Sequence, residues 1–160
     1  MASDDHRRVR PSSLNTIGAL VGASYVTGQL DDFGDWVSAL GTRDVLRYLG
    51  IRLLAQGGVA EATALIDHLS ASYGNPEIRD LAKPFAAIAT DLYAGRETWL
   101  QDGPLWEAVR ASIAIPGMLT PVLSRGRWLV DGALVNPVPV SVCRALGADL
   151  VIAVNPSSLM

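Results

Sequence analysis

The fold is best indicated by the stretch Leu129-Val130-Asp131-Gly132-Ala133-Leu134-Val135-Asn136-Pro137-Val138-Pro139. Two apolar residues lead into an aspartate, which is followed by two small residues and a proline-rich turn. This pattern predicts a buried strand that ends on Asp131. Because a carboxylate is seldom buried without a partner, packing alone explains this position poorly. Asp131 is therefore the first candidate functional residue, although an aspartate that only stabilises the turn after a strand is the simpler interpretation.

The composition fits one folded domain. The chain has 160 residues, of which 49% are hydrophobic and 18% charged, and its mean hydropathy is +0.26. This length is enough for a domain with its own core, and so apolar a composition is typical of buried strands. No uninterrupted apolar run reaches the roughly 18 residues of a membrane-spanning helix. The net charge of −3 gives no reason to expect nucleic acid as a partner.

Cysteine and histidine are scarce, which limits the chemistry available to the chain. Cys143 is the single cysteine, so an internal disulfide and cysteine-rich zinc sites are excluded. Of the two histidines, His68 has no second ligand at a usable spacing, and we expect no metal and no cofactor. If the protein is a hydrolase, a carboxylate such as Asp131 would have to act as the base without a histidine.

The order of the predicted elements indicates an α/β fold. Helical patterns cover residues 17–27, 30–54, 59–73, 104–114 and 138–146. Strand patterns cover residues 85–90, 97–100, 121–123, 127–130 and 150–154, and residues 124–126 predict a hairpin turn. Strands that alternate with helices favour a largely parallel central sheet flanked by helices. The fully apolar run Leu150–Val154 predicts a central strand of that sheet.

Several segments, in order along the chain, resemble the bacterial branch of the patatin-like phospholipase family. Residues 17–25 resemble the helix after its nucleophile elbow, and Ala89-Thr90-Asp91-Leu92 resembles its middle strand and turn. Residues 105–118 resemble a helix with its Ile-Pro-Gly turn, and 147–154 resemble the following strand. Asp131, Gly132 and Ala133 match the family's Asp-Gly-Gly/Ala motif. The resemblance implies an α/β sandwich and a lipid acyl hydrolase, a phospholipase or esterase.

The resemblance also implies roles for individual residues. In this family a serine in a Gly-x-Ser-x-Gly elbow attacks an ester, and the motif aspartate takes its proton, so Asp131 is the expected general base. The elbow here reads Leu14-Asn15-Thr16-Ile17-Gly18. Gly18 is kept, Thr16 stands at the nucleophile position, and Leu14 replaces the first glycine. A β-branched residue raises the strain of such a turn, and a helix N-cap is the simpler role for Thr16.

The resemblance further predicts that the chain is part of a domain. We expect residues 1–13 to be a disordered polar tail and residues 14–160 to be a partial patatin-like domain without the upstream glycine-rich oxyanion loop. Because one lost oxyanion donor costs about 3–4 kcal/mol in the transition state, we expect impaired activity. A non-catalytic remnant, and a module that binds lipid or a partner, remain alternatives.

The expected substrate is a lipid or another ester, and the expected location is the cytoplasm. Transient peripheral contact with a membrane surface is left open, as is the oligomeric state. No segment of the sequence points to nucleic acid as a partner.

Overall fold

The computed structural model describes residues 13–14, 16–50 and 62–154. Within these ranges the chain forms six α-helices: α1 (Ile17–Val26), α2 (Leu30–Ala39), α3 (Thr42–Tyr48), α4 (Thr63–Tyr73), α5 (Leu105–Ser112) and α6 (Val140–Ala145). The same ranges contain five strands: β1 (Ser13–Leu14), β2 (Ala86–Asp91), β3 (Arg96–Leu100), β4 (Val122–Ser124) and β5 (Arg127–Asp131). Short 3-10 turns cover Ile78–Asp80 and Gly132–Leu134.

Strand β2 is the central strand of the sheet, and its two edges pair with different strands. One edge pairs along its length with β3, in antiparallel orientation. The other edge is shared, because β1 runs parallel beside Ala86 and Ala87 while β5 runs antiparallel beside residues 89–91. β1 and β5 therefore point towards each other, and their ends meet beside Ile88. Strand β4 extends the sheet beyond β5.

Helices cover both faces of the sheet. On one face, Ala87 of β2 belongs to the same buried cluster as residues of α1, α4 and α5, with Trp106 fully buried in it. On the other face, Val142 of α6 packs with Ala86 and Ile88. Alternate residues of β2 thus face opposite helix layers, as the two-residue period of a strand requires. The predicted α/β sandwich with flanking helices is confirmed.

The expected strand orientation was wrong for the described part of the sheet. Only the β1–β2 pair is parallel there, and β2–β3, β2–β5 and β4–β5 are antiparallel. The reason lies in the connections: residues 92–95 join β2 to β3 and residues 125–126 join β4 to β5, which is too short for a parallel crossover. The predicted hairpin at residues 124–126 is confirmed, with φ of 49° at Arg125 and 75° at Gly126, as a two-residue hairpin turn requires.

The prediction of a central strand at Leu150–Val154 was also wrong. The segment forms no strand, and Leu150, Ile152 and Val154 are 62%, 77% and 80% exposed. An apolar run predicts burial only if a neighbouring strand or helix covers it. No strand within residues 13–14, 16–50 and 62–154 pairs with this segment.

The helix predictions agree better with the structure. α1 begins at Ile17, and α2 and α3 both lie within the helical pattern of residues 30–54. α4 begins at Thr63, and the expected earlier start at Val59 lies outside the described residues. The predicted tail also lies outside them, except Ser13, which begins β1. No helix in the described ranges has the length and hydropathy needed to span a bilayer.

Candidate active site

The structure brings Thr16 and Asp131 into direct contact. The Thr16 Oγ1 hydroxyl donates a hydrogen bond of 2.6 Å to Asp131 Oδ1, although the two residues are 115 positions apart. Thr16 follows β1 after one residue, and Asp131 is the last residue of β5. Because these two strands end beside Ile88 from opposite directions, the sheet itself places the hydroxyl next to the carboxylate.

Thr16 has an unusual backbone conformation. Its φ is 51° and its ψ is −128°, and a positive φ in a β-branched residue is a true outlier. The residue occupies the N-cap position of α1, but its side chain makes no capping hydrogen bond. Its hydroxyl is directed to Asp131 instead. A strained residue at a sharp strand-to-helix turn is the geometry of a nucleophile elbow.

Asp131 is fixed by hydrogen bonds to its side chain, its N–H and its carbonyl. Its side chain is nearly buried, at 4% exposure for the residue, and Oδ1 also accepts the Ala133 N–H at 2.9 Å. Its own N–H donates to the Ala114 carbonyl at 2.9 Å, and its carbonyl accepts the Thr90 hydroxyl at 2.8 Å. The bond from Ala133 is the one that the turn-stabilising interpretation requires. The same oxygen also accepts the Thr16 hydroxyl, so the carboxylate has a second hydrogen-bond partner outside its turn.

Gly132 fits its position because a side chain has no room there. A Cβ atom built on Gly132 would lie 2.2 Å from the Ile88 carbonyl oxygen and 2.7 Å from its carbon. Both distances are far below van der Waals contact, and both involve main-chain atoms. Ala133 continues into the 3-10 turn. Gly18, at the second glycine position of the elbow pattern, lies partly buried in the first turn of α1.

Sequence comparison places this arrangement in a family. The family model described as patatin-like phospholipase matches residues 16–144, which begins at Thr16 and includes Asp131. The chain belongs to the patatin-like phospholipase family. Its matched region contains both residues of the hydrogen-bonded pair, the Asp-Gly-Ala turn and α5.

Relatives of this patatin-like chain occur in bacteria and mammals. An uncharacterized NTE family protein of Mycobacterium tuberculosis is 40% identical over 141 residues, which is 88% of this chain and 39% of the relative. Patatin-like phospholipase domain-containing protein 7 of Rattus norvegicus is 36% identical over 98 residues, or 60% of this chain and 7% of the relative. Patatin-like phospholipase domain-containing protein 6 of Homo sapiens is 35% identical over 88 residues, or 54% of this chain and 6% of the relative. The chain thus spans well under half the length of these relatives.

The structure adds residues that the sequence reasoning missed. The last residue of α5 and the loop after it bind both members of the pair by their main chains. The Ser112 carbonyl accepts the Thr16 N–H at 3.3 Å, and the Ala114 carbonyl accepts the Asp131 N–H. Ser112 and Thr90 are buried polar residues at 0% and 4% exposure. A serine on the inner, apolar face of a predicted helix was the available signal, because buried hydroxyls require partners.

The other residues considered from the sequence, His68 and Cys143, lie in α4 and α6. The His68 ring stacks on Trp36 with centroids 4.8 Å apart and lies 5.1 Å from the Tyr48 ring. Cys143 is buried in α6. Within the described ranges, no three residues of the histidine, cysteine, aspartate and glutamate types cluster as metal ligands would.

The segments next to Thr16 and Asp131 in the sequence contain no charged residues of their own and are partly apolar at their surface. Residues 16–30, 111–124 and 132–143 contain no lysine, arginine, aspartate or glutamate. Ile17, which follows Thr16 directly, is 70% exposed, and Leu134 at the end of the Asp-Gly-Ala turn is 59% exposed. Met118, in the loop after Ala114, is 50% exposed. We call Ile17, Met118 and Leu134 the apolar rim.

Proposed function

We propose that this chain is the dyad-bearing part of a lipid acyl hydrolase, with Asp131 as general base and Thr16 as nucleophile. The observation that carries the proposal is the 2.6 Å bond from Thr16 Oγ1 to Asp131 Oδ1, made by a threonine in a strained elbow conformation. A general base must lie within hydrogen-bond reach of the proton that it removes. Family membership supports a lipid ester as the substrate class.

The dyad supplies a complete two-step ester hydrolysis. Asp131 takes the hydroxyl proton while Thr16 Oγ1 bonds to the ester carbonyl carbon. The tetrahedral intermediate collapses, the bond to the alcohol oxygen breaks, and Asp131 returns the proton to the leaving alcohol. A water molecule then attacks the acyl-threonine with Asp131 again as base. The carboxylic acid leaves and Thr16 regains its proton, so no histidine is required.

The negative oxygen of the intermediate needs hydrogen-bond donors. The N–H of the residue after an elbow nucleophile is one usual donor, which here is Ile17. The N-terminal end of α1 adds the positive end of the helix dipole. The resemblance assigns the other donors to a glycine-rich loop, and removing one such donor costs about 3–4 kcal/mol. Because the Thr16 hydroxyl is secondary and hindered by its methyl group, we expect slow turnover.

The apolar rim suggests how such a site meets its substrate. Lipid esters are concentrated in membranes and micelles, where a charged rim would have to be desolvated. Exposed apolar side chains avoid that cost, and burial of Ile17, Met118 and Leu134 in lipid is favourable. Peripheral contact with a lipid surface is therefore part of the proposed function.

A second candidate function is lipid binding without turnover. The observation that favours it is Thr16 itself, because its hydroxyl is more hindered than that of the serine expected at this position. In this case the apolar rim would still hold lipid, and the dyad would be inactive.

Turnover of a short-chain nitrophenyl ester tests the proposal. Asp131→Asn keeps the shape of the side chain but removes the base, so we expect turnover to be lost. Asp91→Asn is a matched control, because Asp91 also ends a strand, is 8% exposed and accepts main-chain N–H bonds from Tyr93 and Ala94. We expect Asp91→Asn to keep turnover. Equal rates in both variants would refute the assignment, and lipid binding without turnover in the unaltered chain would favour the second candidate.

A further inference from the structure

Ser112 contacts Thr16 directly and is connected to Asp131 through Ile88 and Gly132. Its carbonyl oxygen accepts the Thr16 N–H at 3.3 Å, so its main chain contacts the elbow. Its hydroxyl donates to the Ile88 carbonyl oxygen at 2.6 Å, and the residue is fully buried. A short bond between buried groups is held firmly, since breaking it would leave the carbonyl unsatisfied.

The Ile88 carbonyl in turn fixes the position of Gly132. This oxygen occupies the space that a Cβ on Gly132 would need, 2.2 Å away, so the two main chains are in tight contact. Ile88 is also the residue of β2 between the parts paired with β1 and with β5. A shift of its carbonyl would be transmitted to Gly132, and Asp131 is the preceding residue.

From these contacts we infer that Ser112 is a positioning residue for the dyad. Its carbonyl places Thr16, and its hydroxyl places Asp131 through Ile88 and Gly132. The hydroxyl thus helps to set the distance between Thr16 Oγ1 and Asp131 Oδ1 without touching the substrate. This inference rests on the proposed function, because the dyad distance matters only if the dyad acts.

The size of the expected effect follows from geometry. Displacing reacting groups by about 1 Å can cost on the order of 100-fold in rate. Ser112→Ala removes the hydroxyl bond to the Ile88 carbonyl but keeps the main-chain bond to Thr16. We therefore expect kcat to fall by roughly 10- to 100-fold. KM should change little, because the hydroxyl makes no contact with the apolar rim.

Ser24 provides a matched control. It is also fully buried, and its hydroxyl also donates to a main-chain carbonyl, that of Leu20 at 2.9 Å. That bond lies within α1, so its loss should not alter the dyad distance. Ser24→Ala should therefore keep kcat while losing a similar type of hydrogen bond. If Ser112→Ala does not fold, Ser112→Cys replaces it, because a thiol has a similar shape and donates more weakly.

Two measurements on the whole chain decide the inference. The first compares kcat and KM of the Ser112→Ala and Ser24→Ala variants, and the second compares amide NMR shifts of Thr16 and Ala133. We expect only the Ser112 variant to lose kcat and to shift both amides. Equal kcat values, or unmoved amide signals, would overturn the positioning role. If the unaltered chain has no turnover, the proposed function fails, while the amide signals still report whether Ser112 sets the geometry.

Discussion

Gly132 and the Ile88 carbonyl lie in such close contact that no side chain fits at position 132. The Cβ of an alanine there would be placed 2.2 Å from the Ile88 oxygen, and both partners are main-chain groups of the sheet. This contact places the Asp-Gly-Ala turn against the one residue of β2 that separates β1 from β5.

Gly132→Ala should therefore destabilise the fold. Overpacking in a rigid core costs about 1–3 kcal/mol or more, and β2 cannot move away without breaking its strand pairs. Denaturant unfolding measures the change. Gly34→Ala is the control, since nothing lies within 4 Å of a Cβ there and alanine in a helix gains about 0.5–1 kcal/mol over glycine. A Gly132→Ala variant as stable as the unaltered chain would contradict the close contact.

The strained backbone of Thr16 predicts an unusual preference for glycine. Holding a residue with a Cβ at φ 51° and ψ −128° costs about 1–3 kcal/mol of folding free energy. Thr16→Gly and Thr16→Ala both remove the hydroxyl, so their difference isolates the strain, and we expect the glycine variant to be more stable by about 1–2 kcal/mol.

The same pair of substitutions at Ser38, inside α2, should give the opposite order, because helix interiors favour alanine. Chemical denaturation of the four variants makes the comparison. An alanine variant at position 16 that is as stable as its glycine counterpart would show that the elbow is not strained.

Thr16→Ser should raise ester turnover. Serine lacks the methyl group that hinders Thr16 Oγ1, and it keeps the hydroxyl within reach of Asp131. A barrier lower by about 1.4 kcal/mol would raise the rate about tenfold, which steady-state kinetics would detect. The rise should vanish in the double variant with Asp131→Asn. A Thr16→Ser rate no higher than that of the unaltered chain would show that the threonine methyl group does not limit turnover.

The apolar rim should govern binding to lipid surfaces. Full burial of a leucine side chain is worth about 1.5–3 kcal/mol, so Leu134→Ser should weaken binding to phosphatidylcholine vesicles by roughly tenfold. Tyr93→Ser is a suitable control, because Tyr93 is 82% exposed but lies in the turn between β2 and β3. Vesicle co-sedimentation measures both. Equal weakening by the two variants would show that the apolar rim is not the contact surface.

Sequence patterns predicted local structure well and long-range pairing less well. The helix at Ile17–Val26 and the hairpin at Arg125 and Gly126 depend on neighbouring residues, and both appear where the sequence placed them. Strand orientation follows from the connections, and the short ones at residues 92–95 and 125–126 permit only antiparallel pairs, so the predicted parallel sheet was wrong. The strand expected at Leu150–Val154 failed for another reason, since composition does not reveal whether a partner strand is present.

The candidate site was partly predictable. A motif match singled out Asp131 and Thr16, and the structure places them in hydrogen-bond contact. Ser112 and Thr90 contribute through hydroxyl bonds to main-chain carbonyls, those of Ile88 and Asp131, and the sequence does not show which carbonyls those hydroxyls reach. Their positions follow from the meeting of β1 and β5 beside β2, and this is a property of the folded sheet alone.

Covalent trapping of Thr16 tests the dyad most directly. A fluorophosphonate ester reacts with an activated hydroxyl, and peptide mass spectrometry identifies the modified residue. We expect a phosphonyl group on Thr16 in the unaltered chain and in Asp91→Asn, and none in Asp131→Asn. An adduct on another residue, no adduct in the unaltered chain, or equal labelling of Thr16 in Asp131→Asn would contradict a dyad of Thr16 and Asp131.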